Sequence, residues 1–290
     1  MEFVRADSPG HALELLSRYG DRGIPLAGGT CTMPSLARMK IRPGALIALD
    51  RLSAEFGEIA VGKDSIRVGA LTTLESLARH ESLPSGLGLC AAAAQAGSWQ
   101  TRSMGTVGGN ICDAAPTADL LPPFLVAGAT VHLGSRDRDE REVPLADFLT
   151  AEHRTDRRGD ELLTAITCPV PPRGTSAFYY KVGRRSAMEV AIVGLAIRVT
   201  VDETTGDIRD ARLAVSGLGP IPRRFPGVEA MLLGRPSQAA LREAAAALAE
   251  EAAADDVWAT AAYRRAVASR VFLRGARELV ADVRRSADTS

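Results

Sequence analysis

The chain has 290 residues, 46% of them hydrophobic and 24% charged, and its 35 Lys plus Arg balance 35 Asp plus Glu. That length supports one large or two ordinary domains, and two is the expectation. The balance of charge excludes a global field that would draw the chain to nucleic acid or an anionic membrane, and no apolar run approaches the roughly 20 residues of a membrane span. Met1-Glu2-Phe3-Val4-Arg5 lacks the charged start and apolar core of a secretory signal, so a cytoplasmic protein is expected.

In chain order, Phe3-Val4-Arg5 reads as a strand, and Ser8-Pro9 as an N-cap followed by a proline in the first helical turn. Ala12, Leu15, Leu16 and Tyr19 supply an apolar helical stripe, and Gly20 a C-cap. Ile24-Pro25-Leu26 leads into Ala27-Gly28-Gly29-Thr30. A helix through Met33, Leu36, Ala37 and Lys40 is expected to end before Pro43, with a buried strand over residues 45–50. Short strands follow around residues 59–61 and 66–68. Helices are expected near 73–80, 86–97 and 118–128, then strands at 130–133, near Val143 and at 162–168.

Pro169-Val170-Pro171-Pro172-Arg173-Gly174 is the clearest linker, because proline cannot donate to a sheet ladder and stiffens a connection. It divides the chain into residues 1–172 and 173–290. Beyond it, strands at 177–181, 190–201 and 208–215 form a small antiparallel sheet, with a turn at residues 204–207. Helices follow at 227–233, 238–254 and 258–281. The alanine-rich run is a packed helix, since Leu241 and Leu248 stand one heptad apart.

Two segments carry candidate chemistry. Consecutive glycines between a strand and a helix let backbone N–H groups approach a phosphate with no Cβ in the way. Ala27-Gly28-Gly29-Thr30-Cys31-Thr32 has that setting, although a tight strand-to-helix turn would look the same. Thr106-Val107-Gly108-Gly109-Asn110 repeats it, with Asp119 nine residues beyond Asn110. Two such loops suit the two phosphates of a dinucleotide, with a carboxylate on a ribose or adenine edge. Tyr180-Lys181, followed by Arg184-Arg185, sets a cation and a basic pair beside an aromatic; a solvated strand end is the plainer reading.

Gly86-Leu87-Gly88-Leu89-Cys90-Ala91 has the spacing of a Rossmann fingerprint, but no strand precedes it, which argues against that role. Cys31, Cys90, Cys112 and Cys168 lie far apart without a Cys-x-x-Cys pair and read as reduced structural cysteines. His11, His80, His132 and His153 are equally scattered and receive no role. Hydrolase and P-loop signatures are absent, and neither a catalytic side chain nor a metal ligand is assigned.

These residues together resemble the FAD-binding, or medium, subunit of the molybdenum hydroxylases, similar to the flavin part of xanthine dehydrogenase and the carbon monoxide dehydrogenase flavoprotein. The resemblance runs from Leu26 through Thr30 with Met39-Lys40, through Thr106 to Ile111 with Ala115-Pro116 and Ala118-Asp119-Leu120, to Lys181 with Arg184-Arg185. It continues through residues 217–222 and Ala262-Tyr263-Arg264-Arg265. It implies an α+β protein: a two-part FAD-binding domain of the vanillyl-alcohol oxidase and p-cresol methylhydroxylase type, then a small α+β domain with a three-stranded antiparallel sheet and helices. It also implies that Pro25, Leu26, Ala27, Gly28, Gly29, Thr30, Cys31 and Thr32 wrap the FAD pyrophosphate. Thr106, Val107, Gly108, Gly109 and Asn110 would form the second wall, Asp119 would hold the adenosine part, Leu163 would line the flavin pocket and Lys181 would lie near the isoalloxazine.

The resemblance further implies a complex, expected as a dimer of heterotrimers, with a large molybdopterin subunit and a small subunit bearing two 2Fe–2S clusters. Electrons would pass through this FAD to NAD, a quinone, a cytochrome or dioxygen. FAD is the cofactor expected on this chain, which shows no cysteine-rich insertion for a further cluster. A stand-alone FAD-dependent oxidoreductase on the same fold is the alternative.

Overall fold

The computed structural model describes residues 1–185 and 189–288. Its first unit is a three-stranded parallel sheet in which Ala45–Ala48 lies between Glu2–Arg5 and Gly23–Leu26. A parallel strand is covered on both faces, and no residue of Ala45–Ala48 is more than 4% exposed. The helix Pro9–Tyr19 connects the outer strands and buries Ala12, Leu15 and Leu16; Ser8 caps it by accepting from the His11 amide. The helix after the first glycine pair is shorter than its periodicity predicts, spanning Thr32–Ala37. Met39 adopts φ 55°, and Lys40 N donates to Ser35 O while Met39 N donates to Leu36 O. That Schellman-type closure ends the helix six residues before Pro43.

A five-stranded antiparallel sheet forms the second unit, in the order Ile59–Val61, Ser65–Gly69, Glu161–Pro169, Thr130–Ser135, Arg141–Pro144. The last strand in sequence before the linker is therefore the central one. Short helices accompany this sheet, Leu74–Ala78, Leu89–Gln95, Trp99–Met104, Val107–Asp113 and Leu121–Ala127, of which Val107–Asp113 and Leu121–Ala127 contact its central strand. Trp99–Met104 and Val107–Asp113 were not expected. Two glycines disfavour a helix locally; here packing overrides that preference, since a Cβ on Gly108 would stand 2.7 Å from Ala70 Cβ.

After the linker, Thr175–Val182, Val193–Val201 and Ile208–Ser216 form an antiparallel sheet, to which Arg223–Arg224 adds a two-residue fourth strand. Alternation divides its two faces. Val193, Leu195, Ile197 and Val199 join Leu213 and Val215 in a core with the helices Pro226–Ala230, Gln238–Ala249 and Ala261–Asp288. Ala196 and Ala214 belong instead to the core of the five-stranded unit, and helix Leu121–Ala127, buried along its whole length, packs on that face. Gly86 and Gly88 serve the same junction: a Cβ on Gly86 would lie 2.8 Å from Thr175 O. The Rossmann-like spacing is thus an interdomain contact. Among the described residues, no helix is long and apolar enough to cross a membrane.

Candidate cofactor-binding site

The two glycine segments, about eighty residues apart in sequence, meet in space. The first leaves strand Gly23–Leu26 and turns into helix Thr32–Ala37. A Cβ on Gly28 would fall 1.7 Å from Met104 O, so only glycine permits the first loop to lie against the backbone that precedes Thr106. Thr30 Oγ1 is 3.5 Å from the Cβ position of Gly105, and Gly29 turns the chain at φ +69°. Among the described residues, the amides of Gly28, Gly29, Thr30, Cys31 and Thr32 donate to no backbone or side-chain acceptor. A run of such amides leading into a helix N-terminus can donate to an anion.

The second segment differs from its reading as a repeat of the same cradle. Val107 N donates to Thr72 O at 2.9 Å and Gly108 N to Ala70 O at 2.8 Å. Thr106 caps the helix Val107–Asp113, its Oγ1 accepting from Gly109 N at 3.1 Å and its carbonyl from Asn110 N at 3.0 Å. All four amides are therefore occupied within the protein. What remains is a smooth surface: Gly109 is exposed, and a Cβ there would meet only Thr106 Oγ1, at 3.0 Å. Beside it, Asn110 Oδ1 is buried without a partner among the described residues. Buried acceptors are seldom orphaned, so this one suits a donor from a bound group.

Asp119 precedes helix Leu121–Ala127 and is 9% exposed. Lys181 Nζ donates to its Oδ2 at 2.9 Å and to Gln95 O at 3.1 Å, and Tyr179 Oη donates to its Oδ1 at 3.1 Å. Burial pushes the Asp119 carboxyl above its ordinary value, against the pull of Lys181 and Tyr179. Burial, with Asp119 beside it, holds the Tyr179 phenol well above its own. Asp119 and Lys181, read separately from the sequence, are one ion pair. Leu163 is 5% exposed within the core, on the central strand.

Tyr179 and Gln95 were missed. Strand alternation carries the signal for the first: Tyr179 and Lys181 share a face, whereas Tyr180 points the other way. Tyr180 stacks with Phe178 at 6.3 Å and lies under Arg274, whose guanidinium carbon is 4.9 Å from the ring centre. The aromatic read beside the cation, Tyr180, thus lies on the opposite face, and Tyr179 is the one that shares Asp119 with Lys181. Arg184 and Arg185 are exposed, Arg185 pairing with Glu189. Arg264 is 3% exposed and structural: its Nη1 donates to Ile192 O at 2.6 Å and Gly217 O at 3.0 Å. Gly217 N in turn donates to Pro116 O at 2.8 Å, tying the C-terminal sheet to the segment before Asp119.

Residues 1–171 match the family described as the FAD binding domain in molybdopterin dehydrogenase, and residues 178–279 match the CO dehydrogenase flavoprotein C-terminal domain. The chain is a flavoprotein subunit of the molybdenum hydroxylase family. This subunit is 32% identical to the glyceraldehyde dehydrogenase medium chain of Sulfolobus acidocaldarius over 235 residues, covering 80% of this chain and 81% of that one. It is 27% identical to the carbon monoxide dehydrogenase medium chain of Hydrogenophaga pseudoflava over 276 residues, 94% of each. Among solved structures, the carbon monoxide dehydrogenase of that organism, in a form lacking the Mo-pyranopterin moiety, superposes with a TM-score of 0.91 at 26% identity, covering 97% of each chain. The flavoprotein subunit is therefore an oxidoreductase component with an FAD-binding domain and the fold of the CO dehydrogenase flavoprotein.

Proposed function

We propose that this subunit holds FAD where its two glycine segments converge and relays electrons through it within a larger molybdenum enzyme. The observation that carries the reading is the run of amides from Gly28 to Thr32, free of acceptors among the described residues and placed at a helix N-terminus beside the second segment. These amides bind the pyrophosphate, with Pro25, Leu26 and Ala27 shaping the approach. Gly109 lets the cofactor lie close to the second segment, and Asn110 Oδ1 accepts a hydrogen bond from it. Thr106, Val107 and Gly108 hold that wall in place through their own hydrogen bonds.

The Asp119–Lys181 pair acts at a single point of the cofactor, oriented by Tyr179 and Gln95, and Leu163 supports the wall from within the core. Bound FAD supplies exchange of one or two electrons at its isoalloxazine ring; the protein contributes binding, orientation and access. No side chain of this chain is required as a general acid or base.

The names medium chain and subunit beta borne by relatives support an assembly of unequal chains. In it, a molybdopterin subunit oxidises substrate, two 2Fe–2S clusters of a small subunit carry electrons to this FAD, and NAD, a quinone, a cytochrome or dioxygen receives them. A dimer of such heterotrimers in the cytoplasm is the expected form. Purification from the native host with a visible spectrum tests this. Flavin bands accompanied by iron–sulfur absorbance and molybdenum, in three unequal chains, are expected. A yellow monomer with full turnover overturns the relay, and a colourless chain that cannot be reconstituted with FAD overturns cofactor binding.

A further inference from the structure

Helix Leu121–Ala127 begins beside Asp119, and at its other end lies a feature that electron relay does not use. A cavity of about 400 Å³ opens between the proline-rich connection, at Pro169 and Pro172, and the face of the C-terminal sheet that bears Arg198 and Arg212. These two arginines are direct partners across the antiparallel pair. Like charges placed opposite one another destabilise a sheet unless something compensates them.

Among the described residues the compensation is incomplete. Arg198 Nη2 donates to Asp210 Oδ2 at 3.1 Å, and Arg212 Nε stands 3.2 Å from the same oxygen. One carboxylate thus serves two guanidinium groups, while Arg209 adds a third cation to the cavity lining. Arg198 is 4% exposed, yet among the described residues its Nε has no hydrogen-bond partner. Burial and the neighbouring Arg212 both lower its proton affinity, as expected where positive charge is in excess.

We propose that this cavity is a binding site for a phosphate group, free or carried as a monoester on a small apolar body. The forked donors of guanidinium groups match the oxygens of a tetrahedral anion, and proline walls suit an apolar substituent. The volume exceeds what a bare phosphate fills, which favours the monoester. A ligand held there touches both the connection and the second sheet, and so joins the two domains.

Calorimetric titration of the full FAD-loaded chain, at constant ionic strength in chloride, tests the site with inorganic phosphate and phenyl phosphate. Saturable binding of both is expected, with phenyl phosphate tighter; equal affinities would assign the site to free phosphate. Arg209→Ala, at an exposed position, weakens binding about tenfold, and Asp210→Asn tightens it about tenfold by removing the competing carboxylate. The proposal fails if neither anion binds saturably to the wild type or to Asp210→Asn. It also fails if a glutamate-rich hexapeptide binds while both phosphates stay silent, since the site would then receive carboxylates of a protein.

Discussion

Asp119→Ala tests the buried polar cluster directly. In the native chain the Lys181 side chain is 9% exposed and that of Asp119 12%, and their 2.9 Å contact satisfies both. The substitution leaves an ammonium held only by Gln95 O, at 3.1 Å, and leaves Tyr179 Oη without its acceptor. Removing one member of a buried pair costs about 3–5 kcal/mol, most of it from the charge left behind. The lower end applies here, because burial already raises the Asp119 carboxyl and so opposes its ionised form. A loss of about 3 kcal/mol corresponds to roughly 6–12 °C in a chain of this size. Thermal unfolding of the FAD-depleted chain measures it. Replacing the cation as well, in Asp119→Ala with Lys181→Met, restores most of the loss, since neither charge is then stranded. A single variant that loses under about 1 kcal/mol, or a double variant no better than the single, refutes the reasoning.

Gly109→Val adds a side chain on an exposed surface where only Thr106 Oγ1 is near. The fold is expected to persist within a few degrees, while FAD affinity falls by about 1–3 kcal/mol, the usual scale of overpacking; normal flavin occupancy of the folded variant would displace the cofactor from this wall. Gly28→Ala is the structural counterpart, because its Cβ meets Met104 O at 1.7 Å and drives the loops apart, lowering both melting temperature and occupancy. Glu161 is 1% exposed and receives two hydrogen bonds from Arg141, at 2.8 and 2.9 Å. Burial pushes its carboxyl up, but Arg141 and the Arg158 amide outweigh that and leave it below its ordinary value. Its stabilisation is therefore present above the unfolded pKa, near 4.3 for glutamate as a rough reference, and is lost as pH falls through the lower folded value. Glu161→Gln should narrow its stability gap from wild type in acid unfolding curves; a gap independent of pH contradicts this. The Cys31 thiol is pushed up to about 11 by burial of its sulfur and by Asp113, although the residue as a whole is exposed. Its alkylation by iodoacetamide at pH 8 should run roughly a hundredfold slower than that of free cysteine, because the thiolate reacts, and Asp113→Asn should speed it; a rate equal to free cysteine refutes the assignment.

Much of the fold was legible because its cues are local. Ser8-Pro9 and Gly20 bound the first helix as capping chemistry requires, and the prolines after Cys168 separate a strand ending at Pro169 from one beginning at Thr175. Local cues failed where distant packing decided the outcome. Val107–Asp113 is helical despite two glycines because Gly108 fits against Ala70. Tyr180 was read beside the cation because it adjoins Lys181 in sequence, whereas the pleat brings Tyr179 to that face.

The amino-acid sequence by itself determined the order of the elements, the family, and which segments lack the Cβ atoms that would bar a cofactor, since these depend on residue identity and short-range spacing. Tertiary structure decided what the two glycine segments do. It joined them through the contact of Gly28 with Met104, just before the second segment, left the amides of the first free of acceptors among the described residues, and bonded those of the second within the protein. The Asp119–Lys181 pair likewise exists only because the segment leading into helix Leu121–Ala127 meets a strand beyond the linker, sixty-two residues away. Hydrogen bonds and close approaches depend on distances in space, and spacing along the chain does not encode them until the sheets are packed.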